Sequence, residues 1–175
     1  MAAVLAGGAS RRMGSPKARV ELGSRPLIAW PIAAAIEAGL AAVVVAKPGS
    51  DLPPLDVPVW EEPEQPAHPL TGIIAALERA GPRGVVVLAC DMPFVSPGLI
   101  ARLGACSDVA TPAGEAFPAR YTPAALAVLR AALERAAPLR EVLAELGATE
   151  IAAGGHELLG VNDPEALARA EALLR

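Results

Sequence analysis

Residues 5–18 read LAGGASRRMGSPKA, directly after a short apolar run that opens the chain. The run from Met1 to Ala6 has the character of a buried first strand. Gly7 and Gly8 then let the backbone turn sharply and approach a ligand with no side chains in the way. Arg11, Arg12 and Lys17 follow within ten residues, so one loop carries bare backbone N–H groups and three cations. Such a loop suits a polyphosphate, whose oxygens the N–H groups cradle and the cations neutralise. Lys17 stands out further as one of only two lysines, Lys47 being the other.

The common phosphate loops do not fit this stretch. A Walker loop ends in Gly-Lys-Ser/Thr, but Ser15 and Pro16 separate Gly14 from Lys17, and Ala18 follows. A dinucleotide fingerprint needs GxGxxG, whereas Gly7 and Gly8 are adjacent with no third glycine at the right offset. The stretch instead resembles the LAGGxSxRMGxxKA signature of the GTP-dependent nucleotidyltransferases of molybdenum cofactor synthesis, the MobA-like family. Nearly every fixed position of that signature is filled. The resemblance implies nucleotide contacts at Leu5, Ala6, Gly7, Gly8 and Lys17, catalytic roles for Lys17 and Arg12, and a supporting role for Arg11.

Outward from this loop, apolar runs alternate with helical patterns, which reads as βαβ units on a mostly parallel sheet. The expectation is a single α/β domain over residues 1–175, Rossmann-like and flanked by helices, of the nucleotide-diphospho-sugar transferase type. Strands are expected at Ala42–Ala46, Val59–Trp60 and Val85–Ala89, and two more around a turn at Asp108–Thr111 and Ala116–Tyr121. A small strand or hairpin is expected over Thr149–Leu159. Helices are expected from Pro26 to about Ala38, at Leu70–Ala80, from Pro97 with Ser96 as its cap, at Pro123–Arg135 and Leu139–Leu146, and from Pro164 onward. The four prolines at 48, 53, 54 and 58 mark an extended surface loop.

The bulk composition narrows the partners. A chain of 175 residues builds one domain with a full core. It is 53% hydrophobic, yet no run approaches the ~18 apolar residues of a membrane span. A secretion signal is not expected, the first cation being Arg11. A net charge of −4 argues against a non-specific nucleic-acid surface. Cys90 and Cys106 have no metal-ligand spacing, as in a reduced, cytoplasmic protein. A monomer is expected, with no nucleic-acid or membrane partner.

Three further segments carry candidate chemistry. In open parallel sheets, ligands sit beyond the carboxyl ends of the strands, so the first loop faces Asp91, which emerges after Val85–Ala89. An acidic residue there is placed to hold Mg²⁺, a hard ion that bridges carboxylate and phosphate. Cys90-Asp91-Met92-Pro93-Phe94 also resembles the family's CDMPF segment, which implies metal and nucleotide binding at Asp91. Gly160-Val161-Asn162-Asp163-Pro164-Glu165 resembles the family's N-x-N-T-P-E-E-L segment, with Gly160 in place of the first asparagine and Asp163 in place of the threonine. It implies a pyrophosphate-side role for Asn162, while Asp163-Pro164 is also a standard helix start. Glu62 stands where the family carries an acidic nucleotide contact, and His68-Pro-Leu-Thr-Gly72 where it has Gly-Pro-Leu-x-Gly. Ala46 stands where several members carry an asparagine, so a base contact made there is absent or relocated. Arg120 lies at the end of a strand that lines the acceptor side in the family, so the resemblance implies a contact with the acceptor's phosphate.

The resemblance implies transfer of GMP from GTP to the terminal phosphate of molybdopterin, with Mg²⁺ as cofactor and pyrophosphate as product. The implied partners are the two small-molecule substrates and proteins of molybdenum cofactor delivery. The alternatives are a nucleotidyltransferase using another nucleotide or acceptor, of cytidylyltransferase or sugar-phosphate type, and a non-catalytic nucleotide-binding regulatory protein.

Overall fold

A computed structural model describes residues 1–6 and 16–175. The strands, in chain order, are β1 (Ala2–Leu5), β2 (Glu21–Leu22), β3 (Arg25–Pro26), β4 (Ala42–Ala46), β5 (Val59–Glu61), β6 (Val85–Ala89), β7 (Ala110–Pro112), β8 (Ala119–Tyr121) and β9 (Thr149–Ile151). The α-helices are α1 (Ala29–Glu37), α2 (Pro69–Ala80), α3 (Pro97–Ala105), α4 (Leu126–Glu134), α5 (Leu139–Glu145) and α6 (Pro164–Leu173). The main sheet has seven strands in the order β5-β4-β1-β6-β8-β7-β9. Every neighbouring pair is parallel except those made by β8, which runs against both β6 and β7. The mostly parallel α/β sheet expected from the alternation is therefore the observed one.

The central strands owe their place to uninterrupted apolar sequence. AVVVA in β4 is buried throughout, as is VVVL of β6, because helices cover both faces of the sheet. One face packs on α2, α4 and α5 through Leu70, Ile73, Leu77, Leu129 and Leu143. The other packs on α1 and α3 through Ile28, Ile32, Leu99, Ile100 and Leu103. Ser96 caps α3 by accepting from Leu99 N–H at 3.0 Å, and Asp163 caps α6 by accepting from Ala166 N–H at 2.8 Å. No helix among the described residues is long and apolar enough to cross a membrane.

Two expected elements differ. Pro26 does not open a helix: it pairs with Glu21 in a small antiparallel hairpin, and α1 starts at Ala29. Gly23, at φ +63°, supplies the left-handed turn, and the hairpin buries Leu22 and Leu27 against Val161 and Ala170. The helix instead tolerates Pro31 in its first turn, where no intrahelical partner for an N–H exists. Of the small strand or hairpin expected over Thr149–Leu159, the strand forms, over a shorter stretch. Only Thr149–Ile151 is a strand, parallel to β7, and the Glu157 carboxylate then takes the Gly154 N–H and the Ser96 hydroxyl, closing the rest as a loop on α3.

Candidate active site

At the carboxyl end of β6 the chain leaves the sheet through Cys90 and Asp91. Cys90 N–H donates to the Leu5 carbonyl at 3.2 Å, which ties this exit to the end of β1. Lys17, in a 3-10 turn over Lys17–Arg19, donates to Asp91 Oδ2 at 2.7 Å and also to Oδ1 of Asn162. The Lys17 and Asp91 side chains are 21% and 16% exposed, half-withdrawn from water yet open to the cleft beside them. Val161 N–H donates to the Asp91 carbonyl at 2.8 Å, so backbone as well as side chain fastens the segment before α6 to the end of β6. Gly160 leaves room for this: a Cβ there would stand 2.9 Å from the Asn162 amide nitrogen and push the amide aside. The Cys90 thiol is pushed up to about 12, first by burial and then by the Asp91 charge, so it remains a thiol and is no nucleophile at neutral pH.

A second polar group lies across the cleft at the carboxyl ends of β4 and β5. Their register pairs Ala46 with Glu61, which sets Lys47 and Glu62 side by side one residue further on. Glu62 N–H donates to the Ala46 carbonyl at 2.9 Å. The Glu62 side chain is 7% exposed, and its Oε1 lies 3.7 Å from the Lys47 ammonium. Burial raises its carboxyl above the ordinary carboxylate range, and Lys47 works against that rise. Apart from this ion pair, the carboxylate accepts no hydrogen bond from the described residues. It is a largely buried acceptor at a cleft wall, with Lys47 as its ion-pair partner.

Gly72 makes this placement possible. A Cβ on that α2 residue would meet Glu62 Oε2 at 2.7 Å and Leu5 Cδ2 at 3.0 Å. Gly72→Ala should favour the helix by about 0.5–1 kcal/mol on propensity alone, yet it must displace the carboxylate. The expected result is a near-normal melting temperature with nucleotide affinity weakened roughly tenfold, the lower end of what a charge-assisted hydrogen bond contributes. Calorimetric titration beside a thermal melt checks both halves.

The two groups face one cleft of about 730 Å³. Of the residues singled out in the sequence, Leu5, Ala6, Lys17, Glu62 and Asp91 line it together, and Asn162 joins them through Lys17. Gly7, Gly8, Arg11 and Arg12 lie outside the described residues; Ala6 before them and Pro16 after them line the cleft. Arg120 is not brought to it. It pairs with Val86 near the amino end of β6 and donates to the Gly104 carbonyl at 3.1 Å, because antiparallel β8 carries it towards the far edge of the sheet. Sequence reasoning missed Lys47 and Phe117, both lining the cleft, and named Gly72 only within a family-like turn. Lys47 did carry a signal, a lone lysine directly after a parallel strand.

Among the described residues no group of three His, Cys, Asp or Glu side chains converges on one point. A Mg²⁺ site built with a substrate's phosphates needs only one or two protein carboxylates. The donor set fits: the Lys17 ammonium already draws one Asp91 oxygen and one Asn162 oxygen to a single cation.

Residues 2–151 match the MobA-like NTP transferase domain. The chain belongs to this family. Family membership makes the protein a nucleotidyltransferase. A molybdenum cofactor guanylyltransferase of Cereibacter sphaeroides is 36% identical over 187 aligned positions, covering 98% of this chain and 95% of its own. A probable molybdenum cofactor guanylyltransferase of Pelotomaculum thermopropionicum is 39% identical over 98 positions, covering 55% of this chain and 47% of its own. Among solved structures, the molybdopterin-guanine dinucleotide biosynthesis protein A of Archaeoglobus fulgidus aligns with a TM-score of 0.80 at 24% identity, covering 99% of this chain and 97% of its own. The 2-C-methyl-D-erythritol 4-phosphate cytidylyltransferase of Thermus thermophilus aligns at 0.71 and 23% identity, covering 98% and 97%. These two likenesses show the fold.

Proposed function

We propose that this MobA-like nucleotidyltransferase transfers GMP from GTP to the terminal phosphate of molybdopterin, giving the guanine dinucleotide cofactor and pyrophosphate. The observation that carries the reading is one cleft with a Lys17–Asp91 pair at one end and the Lys47-paired Glu62 carboxylate at the other. A carboxylate accepts N–H donors, and guanine offers an amino donor that adenine lacks at the same edge. The guanylyltransferase name of the Cereibacter relative points the same way.

In the reaction an oxygen of the acceptor phosphate attacks the α-phosphorus of GTP, and the bond to the β-phosphate oxygen breaks. A phosphate monoester is already anionic near neutral pH, so the acceptor needs no strong base. Positioning of two anions and stabilisation of phosphoryl charge are the chemical demands. Lys17 supplies a cation that is held, between reactions, by Asp91 and Asn162. Arg11, Arg12 and the amides of Gly7 and Gly8 are assigned to the same phosphates. Asp91 and Asn162 are the residues that would hold a Mg²⁺ ion, which would supply neutralisation of phosphate charge there.

Binding of GTP, CTP, ATP and UTP, measured by calorimetry with and without Mg²⁺, tests the reading. A GTP preference of tenfold or more, about 1.4 kcal/mol, is expected. A CTP preference would transfer the assignment to cytidylyl chemistry on the same fold. GTP binding without pyrophosphate release in the presence of acceptor would mean a regulatory protein instead.

A further inference from the structure

Lys47 is not a solvated surface lysine. Its side chain is 21% exposed, and its ammonium donates to the Pro63 carbonyl at 2.8 Å and the Glu64 carbonyl at 2.7 Å while standing 3.7 Å from Glu62 Oε1. Ordering a lysine costs up to about 2 kcal/mol in rotamer freedom, so three oxygens on one ammonium describe a fixed position. The two carbonyls belong to the residues immediately after Glu62, and the backbone of Glu62 is already bonded to Ala46. The end of β4 therefore holds the whole turn that follows β5.

The surroundings of Glu62 explain what this hold accomplishes. Leu5 and the α-carbon face of Gly72 form an apolar wall against the carboxylate. His68, at the start of α2, has its Nδ1 occupied by Leu70 N–H at 3.2 Å. Glu61 and Glu64, on the same segment, add negative charge, as does Asp51 on the cleft lining, and the Lys17–Asp91 pair stands at the other end of the cleft. Among the described residues, Lys47 alone brings a cation within ion-pair reach of Glu62. Without Lys47 the burial that raises this carboxyl would go unopposed by a cation, and a protonated carboxyl cannot accept two N–H bonds side by side.

We propose that Lys47 is a positioning residue: it holds Glu62 as an anion turned towards the base end of the cleft, and through it selects guanine over bases without adjacent N–H donors. The proposal rests on the guanine reading above, and two separate readouts keep the two apart. The first is the carbon-13 titration of the Glu62 side-chain carboxyl in nucleotide-free protein, wild type against Lys47→Met. The second is calorimetric affinity for GTP and ATP from about pH 5.5 to about pH 8.5 in wild type, Lys47→Met, Lys47→Arg, Glu62→Gln and the Lys47→Met/Glu62→Gln double variant.

Lys47→Met should move the Glu62 titration to higher pH, and its GTP affinity should fall roughly tenfold as the pH drops through that new midpoint. Lys47→Arg should keep most of the wild-type selectivity, because charge and donors remain. Glu62→Gln should bind GTP and ATP with little discrimination and no pH dependence, and adding Lys47→Met to it should change neither. An unmoved Glu62 titration in Lys47→Met, or equal effects of Lys47→Met with and without Glu62, would overturn the proposal. If wild type shows no GTP preference, the guanine reading fails, while the carboxyl titration still decides whether Lys47 holds the anion. Should Lys47→Met fold poorly, Lys47→Gln removes the charge and retains an N–H donor for the same measurements.

Discussion

Asp91→Asn is expected to lower pyrophosphate release with GTP by about 10²–10³-fold, the cost of removing one preorganised electrostatic element from a reacting centre. The substitution keeps the size of the side chain and an oxygen that can still accept from Lys17. It also leaves the Val161 N–H bond to the residue-91 carbonyl, and with it the docking of the segment before α6. The folding transition should therefore stay near that of wild type. What disappears is the negative charge on which a hard divalent cation depends. Turnover measured against Mg²⁺ concentration checks the assignment: half-saturation should move to much higher Mg²⁺, and an unchanged titration would sink the metal role.

Lys17→Ala should cost about 1.5–3 kcal/mol of transition-state stabilisation, the range for hydrogen bonds to charged groups, hence ~10- to 150-fold in turnover. The ammonium touches Asp91 and Asn162 in the absence of nucleotide, so the variant also frees those two oxygens from each other. Steady-state pyrophosphate release reads the loss, and near-wild-type turnover would remove Lys17 from the phosphate cradle. Because the two side chains are in contact, Lys17→Ala and Asp91→Asn should not add; a cycle of single and double variants measures their coupling.

The central sheet was legible where sequence satisfied both faces at once. Val85–Ala89 and Ala42–Ala46 are apolar throughout and led by valine, as a strand buried on both faces requires. The N-terminal hairpin was not legible, because Pro26 is as acceptable at a helix start as in a two-residue edge strand. Burial of Leu22 and Leu27 against α6, distant in sequence, decides between them. Arg120 was misplaced for a directional reason: its strand could be recognised, but not that it runs against β6. The meeting of Lys17, Asp91 and Asn162 was legible because each lies inside a contiguous signature. The Lys47–Glu62 pair was hidden, since only the register of β4 on β5 sets the two residues side by side.

The fastening of Asn162 to Lys17 also has a temporal side. These residues are separated by 145 positions, yet they meet at one ammonium. During synthesis Lys17 leaves the ribosome long before Asn162, and the strands β4, β1 and β6 can assemble around it meanwhile. Until the stretch carrying Val161 and Asn162 has emerged and docked on Asp91, the contact of Lys17 with the Asn162 oxygen cannot form. The meeting of Lys17 with Asn162 is thus completed late in the birth of the molecule, after the central strands of the sheet have been made.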